Sequence, residues 1–160
     1  MWLIKAELRD SPIDRQGVFA LEPVRAGRVV SVWRRMRLMR EAHYLAVCRD
    51  EGEVRRSCVR LLGDHYAHED GGSHPDDFMN HAADPNVLYH MGVMIALRDV
   101  GAGEELTVDY NTYFSGASCE AFDDVVTGRP VVGMPPRESL MRACEALLGL
   151  LRAQPDWDGT

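Results

Sequence analysis

The sequence predicts a mostly-β fold of small sheets with one C-terminal helix. Apolar pieces through the first two thirds of the chain are short and broken by Gly and Pro, and strong helical spacing occurs only over Arg137 to Arg152. No strand-helix-strand rhythm suggests a doubly wound parallel sheet.

Taken in order, Trp2 to Leu8 and residues 17–32 alternate or run apolar in pieces rich in Val, Phe and Trp, interrupted by Pro12, Gly17, Pro23 and Gly27, and read as short strands and turns. Arg34 to Arg49 scatters Met36, Met39, Leu45 and Val47 among arginines, which fits one helix or two turns. Gly63, Gly71, Gly72, Ser73 and Pro75 lie among acids, so Tyr66 sits on a short extended piece ahead of a loop. Val87 to Leu97 reads as a hairpin turning at Met91-Gly92, and Gly101-Ala102-Gly103 turns the chain into a further strand, Glu105 to Tyr110. Ser115 to Gly133 reads as a flexible connection. Leu140, Met141, Cys144, Leu147, Leu148 and Leu151 then form the apolar stripe of a helix over about 137–152, started by Pro135 and Pro136, and Gln154 to Thr160 fray. The reading is a domain over 1–115 with an extension over 116–160 that packs on it or closes its site.

At 160 residues, 46% hydrophobic and 27% charged, the chain is an ordinary globular one, not collagen-like, mucin-like or wholly disordered. No run approaches the roughly 18–20 apolar residues of a membrane span, and the start of the chain lacks the regions of a signal peptide, so an intracellular location with no membrane partner is expected. Cys48, Cys58, Cys119 and Cys144 form no C-x-x-C pair and read as free thiols. His65, His68, His74 and His81 are irregularly spaced and read as solvated or core histidines, so no metal is expected.

The net charge of −7 hides an asymmetry: residues 25–60 carry ten basic against four acidic groups, whereas 61–128 carry one basic against thirteen acidic. The acidic stretch attracts a cationic partner and repels a polyanion. The arginine-rich stretch lacks the aromatic interleaving of a single-strand binder, which disfavours nucleic acid as a partner. Lys5 is the single lysine, so the chain hardly offers itself as a lysine substrate.

Two segments carry chemistry. Asn80-His81-Ala82-Ala83-Asp84-Pro85-Asn86, taken alone, is a loop with Asx turns, and Gly103-Glu104-Glu105-Leu106-Thr107-Val108-Asp109-Tyr110, taken alone, is a strand after a glycine turn. In this order, with Gly17-Val18-Phe19-Ala20 upstream, they resemble the SET-domain family of protein lysine methyltransferases over roughly residues 2–115. The first is similar to the family's N-H-S-C-x-P-N element, and the second matches its G-E-E-L-T-x-D-Y element nearly letter for letter. Three departures stand beside these matches. Arg15-Gln16-Gly17 replaces the G-x-G cofactor loop, Ala82-Ala83 replaces Ser-Cys, and Ser118 to Asp124 keeps at most the aromatic, Phe122, of the cysteine-rich zinc segment that many members carry.

The resemblance implies a fold of small curled sheets in which one of the two segments threads a loop made by the other, a C-terminal pseudoknot. It implies methyl transfer from S-adenosylmethionine to the lysine side-chain amine of a basic protein, histone-like or ribosomal. By the same resemblance Tyr110 is catalytic; Gln16, Gly17, Val18, Asn80 and His81 bind the cofactor, with Phe122 closing its site; and Tyr66 lines the lysine channel. Phe114 is similar to the position that governs how many methyl groups are added, and phenylalanine there implies di- or trimethylation. The reading from another class is a catalytically silent SET-fold module that binds protein, supported by Arg15 and the missing zinc segment. The terminal helix covers its own core or pairs with a second copy in a homodimer.

Overall fold

The structure, a computed structural model, describes residues 1–34, 36–50, 58–62, 64–69, 74–113 and 122–153. Among these are strands β1 (Ala6–Asp10), β2 (Gln16–Ala20), β3 (Val29–Val32) and β4 (Met36–Arg40), helix α1 (Glu41–Asp50), and strands β5 (Cys58–Leu62), β6 (His65–Glu69) and β7 (Asn80–His81). They are followed by β8 (Val87–His90), β9 (Val93–Ala96), β10 (Glu105–Val108), β11 (Phe122–Asp123), β12 (Pro130–Val131) and helix α2 (Pro136–Ala153). The strands form four small sheets, ordered β1-β2-β10-β7, β3-β9-β8, β4-β6-β5 and β11-β12, so the mostly-β expectation and the terminal helix both hold. No helix among the described residues is long and apolar enough to cross a membrane.

The hairpin expected over 87–97 is present as β8 and β9, paired from Val87 with Ala96 to His90 with Val93. Its two turn residues, Met91 (φ 51°) and Gly92 (φ 83°), both lie in the left-handed region, as a two-residue turn that follows the strand twist demands. β2 and β10 are buried along almost their whole length because they share one core: Val18, Ala20 and Leu106 pack with Val30, Met79, Val87, Met94 and Ala96. Complete burial of a side chain such as Leu106 contributes about 2 kcal/mol.

Two local expectations are corrected. Residues 36–40, read as part of a helix or of turns, are strand β4, whose five residues pair antiparallel with β6, and α1 begins only at Glu41. Pairing decides the matter: Met39 packs against Tyr44 and Tyr66 while Met36 and Leu38 stay exposed, so the strand lacks the burial period that would have announced it. Within the stretch read as a flexible connection, residues 122–131 form the β11–β12 hairpin, pinned by Asp124, whose carboxylate accepts from the Thr127 backbone N–H at 2.6 Å and from its hydroxyl. Residues 114–121 and 154–160 lie outside the described residues.

Helix α2 packs on β5, β8 and the 3-10 turn Tyr110–Thr112, burying Ala143 and Leu150 and leaving Met141, Leu148 and Leu151 exposed, so its apolar residues divide between two faces.

Met91 holds a left-handed conformation without the help of a short polar side chain or a missing Cβ. Met91→Asn is expected to raise the unfolding free energy by about 1 kcal/mol, since Asn-Gly suits this turn. Urea denaturation of the two proteins checks it; an unchanged or lower midpoint would show that the turn bears no such strain.

Candidate functional site

The site begins where two distant segments meet. β7 lies parallel to β10, Asn80 opposite Thr107 and His81 opposite Val108, so the Asn-His pair sits beside the strand that leads into Tyr110. Beyond β10 the chain tightens into the 3-10 turn Tyr110–Thr112, capped by the Asp109 carboxylate, which accepts from the Asn111 backbone N–H at 3.0 Å.

Tyr110 is held at both ends by the segment around β7. Its backbone N–H donates to His81 Nδ1 at 3.1 Å, and its hydroxyl donates to the Met79 carbonyl at 2.7 Å. His81 Nδ1 serves as the acceptor there, and its Nε2 faces Asp124 Oδ2 at 3.6 Å. A phenol whose proton is committed to a carbonyl turns its lone pairs outward as acceptors. Phe122 stands edge-on to His81 (ring centroids 6.0 Å) and packs against Tyr110 (6.1 Å), while 38% of it remains exposed, so it forms an outer wall of the same group.

Asn80 is buried and anchors the second half of the site. Its single Nδ2 lies 3.0 Å from Ser11 Oγ, 3.2 Å from the Asp14 carbonyl, 3.1 Å from the Gln16 carbonyl and 2.7 Å from Glu105 Oε1. An amide nitrogen has two hydrogens, so four acceptors surround two protons, and the surplus of acceptors suits a cationic donor. The Glu105 carboxylate closes against Gly17: a Cβ there would fall 2.1 Å from Glu105 Oε1, so a larger residue would push that carboxylate away. Arg15, which stands where a glycine is usual, adopts φ 41°, so the turn keeps a glycine-like backbone at a cost of about 1–2 kcal/mol while the side chain lies in solvent. Val18 is buried in β2, paired with Leu106, and Gln16 exposes its side chain and offers its carbonyl.

Several residues that sequence reasoning missed complete the arrangement. Besides capping the turn, Asp109 accepts from Arg142 of α2 at 2.9 Å, tying the terminal helix to the residue beside Tyr110. Asn111 Oδ1 accepts from the backbone N–H groups of Val132 and Gly133 at 3.2 and 3.1 Å, and its carbonyl accepts from Met134 N–H, fixing the segment that leads into α2. The Thr127 hydroxyl holds the Asp124 carboxyl below its ordinary range, burial opposing and His81 assisting. Burial pushes the Tyr113 phenol well above its ordinary value, with Tyr89 and Tyr110 close by. The one local signal for any of these was Asp109 ahead of Asn111, an Asx cap; the remaining partners are far apart in the chain.

Tyr110, Asn80, His81 and Phe122, with the Gln16 carbonyl and Gly17, are thus brought together. Tyr66 is not part of that cluster: it is buried in β6, stacked on Tyr44 of α1 with ring centroids 4.1 Å apart, its hydroxyl 3.3 Å from Glu41 Oε1. Phe114 lies outside the described residues.

A family profile described as the SET domain matches residues 15–111, more than half of the chain. No curated protein matches it in sequence. Among solved structures it is similar to an apo ctPRC2 with two substitutions in Ezh2 (TM-score 0.57, 20% identity) and to a humanized mutant of the Chaetomium thermophilum Polycomb Repressive Complex 2 bound to the inhibitor GSK126 (TM-score 0.55, 19% identity). Each comparison covers 98% of this chain and 22% of the other, so the chain spans about a fifth of those proteins and the likeness is one of fold.

The depressed Asp124 has a definite pH signature. A carboxyl whose folded value lies below its unfolded value of about 3.9 contributes stability that is present above that pH and is lost as pH falls through the folded value. Thr127→Val is therefore expected to destabilise the protein by about 1 kcal/mol at neutral pH, and the deficit to fade below about pH 4. Denaturation curves of both proteins from pH 7 to pH 3 check this; a deficit that stays constant with pH would sink it.

Proposed function

The chain belongs to the SET-domain family, and on that premise we propose that it transfers methyl groups from S-adenosylmethionine to the side-chain amine of lysine in a basic protein. The observation that carries the reading is Tyr110, a phenol fixed at its N–H by His81 and at its O–H by Met79, with its oxygen left as an acceptor inside an aromatic wall.

The residues fit the donor. The acceptor surplus around Asn80 suits the ammonium of its amino-acid portion, and Gly17 lets the Glu105 carboxylate come up against the backbone of the same loop. Gln16, Gly17, Val18, Asn80 and His81 would hold it, with Phe122 as the outer cover. When bound, S-adenosylmethionine supplies an electrophilic methyl group on a sulfonium. Tyr110 is the catalytic residue: its oxygen steadies the positive methyl region through weak C–H···O contacts and aligns it for in-line attack. The lysine must arrive neutral, and desolvation among aromatic rings lowers its value from the ordinary 10.4 or so. Tyr66, buried against Tyr44 and away from this cluster, is left out of the lysine channel, and by the family resemblance Phe114 would govern methyl number and allow di- or trimethylation.

The thirteen acids of residues 61–128 support a basic substrate, histone-like or ribosomal, met inside the cell. The alternative, a silent SET-fold module that binds protein without chemistry, draws on Arg15 and the missing zinc segment; the left-handed backbone of Arg15 keeps the loop's turn and weakens the first of these supports.

Incubation with methyl-labelled S-adenosylmethionine and a mixture of basic proteins is expected to label lysine, and Tyr110→Phe to lower the rate by about 10²–10³-fold with the cofactor-induced melting shift unchanged. Full activity in the variant would remove Tyr110 from its role. A wild-type protein without a melting shift would move the reading to the silent module.

A further inference from the structure

Helix α2 carries two apolar stripes, and the fold uses one of them. Leu140, Ala143, Leu147 and Leu150, spaced three, four and three residues apart, turn toward the sheets: Ala143 and Leu150 are buried and the two leucines between and before them half-buried. One position later in the chain, Met141, Cys144, Leu148 and Leu151 repeat the same spacing and are all exposed, the three large side chains to between 45% and 47%. Apolar residues at this spacing are the seam by which one helix packs on another, whereas a helix that had only its own sheets to cover would carry polar residues there.

The charges beside that seam select its occupant. Written as a heptad, Met141 and Leu148 are a, Cys144 and Leu151 are d, and Glu138, Glu145 and Arg152 fall at e, all three exposed. Among the described residues none of the three is in an ion pair. A second copy of α2 laid antiparallel sets a against d. The layers are then Met141 with the partner's Leu151 and Cys144 with the partner's Leu148, each formed twice about a two-fold axis. The same arrangement sets e against e, so Glu138 in the first turn meets the partner's Arg152 in the last turn at both ends, and only Glu145 meets its own kind, at the axis. A parallel copy would set e against g, where Leu140 and Leu147 stand, and would leave Glu138 and Arg152 unmatched. Opposed helix dipoles favour the antiparallel pair as well.

From the uncovered seam and the opposite charges at its two ends, we propose that the exposed face of α2 is a self-association surface, through which two copies of this chain pair as an antiparallel helix dimer. The other face of each helix stays on its own sheets, with Arg142 still bonded to Asp109, so neither protomer has to open. A single helix pair is a small interface, so half of the chain is expected to be dimeric at about 10–100 µM. Pairing is independent of methyl transfer, since none of Tyr110, Asn80, His81 and Phe122 belongs to α2.

Sedimentation equilibrium of the full chain under reducing conditions, from about 1 to 300 µM, is expected to show monomer and dimer and no larger species. Leu148→Glu puts a charge into both central layers and is expected to leave a monomer with an unchanged circular dichroism spectrum. Glu138→Arg is expected to weaken the dimer about tenfold by reversing both end pairs, and addition of Arg152→Glu to restore it. The charge reversals keep the test decisive if Leu148→Glu fails to fold. A chain that stays monomeric throughout would overturn self-association and leave the face to a different partner; a dimer that survives Leu148→Glu, or charge reversals that do not compensate each other, would overturn the antiparallel seam.

Discussion

Two residues of parallel strand, Asn80 and His81 against Thr107 and Val108, join segments of chain more than twenty residues apart, and everything chemical in the molecule is arranged around that join. It sets the carbonyl of Met79 and the ring of His81 at the two ends of Tyr110. It also brings Asn80 under the carbonyls of residues 14 and 16, just before and at the start of β2, a strand of the same sheet. Without it, Tyr110 would be an ordinary residue after a strand and Asn80 an unsatisfied buried amide. The core beneath, built on Val18, Leu106 and Val108, keeps the two strands from sliding, because a one-residue slip would turn the buried side of β10 to solvent.

What could be read from the residues was what is local. The β8–β9 hairpin announced itself through alternation and a Met-Gly turn, and the letters of residues 80–86 and 103–110 named the two halves of the join. The join itself is not local, and it was supplied by resemblance to a family. Strand β4 was hidden because Met36 and Leu38 lie on an exposed edge, and β11 and β12 because two residues have no period. The links from Arg142 to Asp109 and from Asn111 to residues 132–134 left no trace in the sequence, each partner being an unremarkable polar residue until the fold places it. Tyr66 was recognisable as a strand tyrosine, but its stack on Tyr44 depends on α1 turning at Glu41, which no pattern signalled.

The 3-10 turn Tyr110–Thr112 works as a junction between the sheets and the C-terminal extension. Its cap, Asp109, holds α2 through Arg142; its middle residue, Asn111, holds the segment between β12 and α2; and the Thr112 carbonyl accepts from Ser139 at 2.8 Å. Asp109, Asn111 and Thr112 thus receive the extension on either side of Tyr110, so few bonds separate α2 from the Tyr110 backbone.

Arg142 lies 33 residues beyond Asp109. During synthesis the sheets and the β8–β9 hairpin can close while α2 is still inside the ribosome, whose tunnel shields the most recently added part of a growing chain. The clamp from Arg142 is applied only after α2 has emerged, so a product cut short before α2 that retains Tyr110, Asn80 and His81 lacks the brace that steadies them.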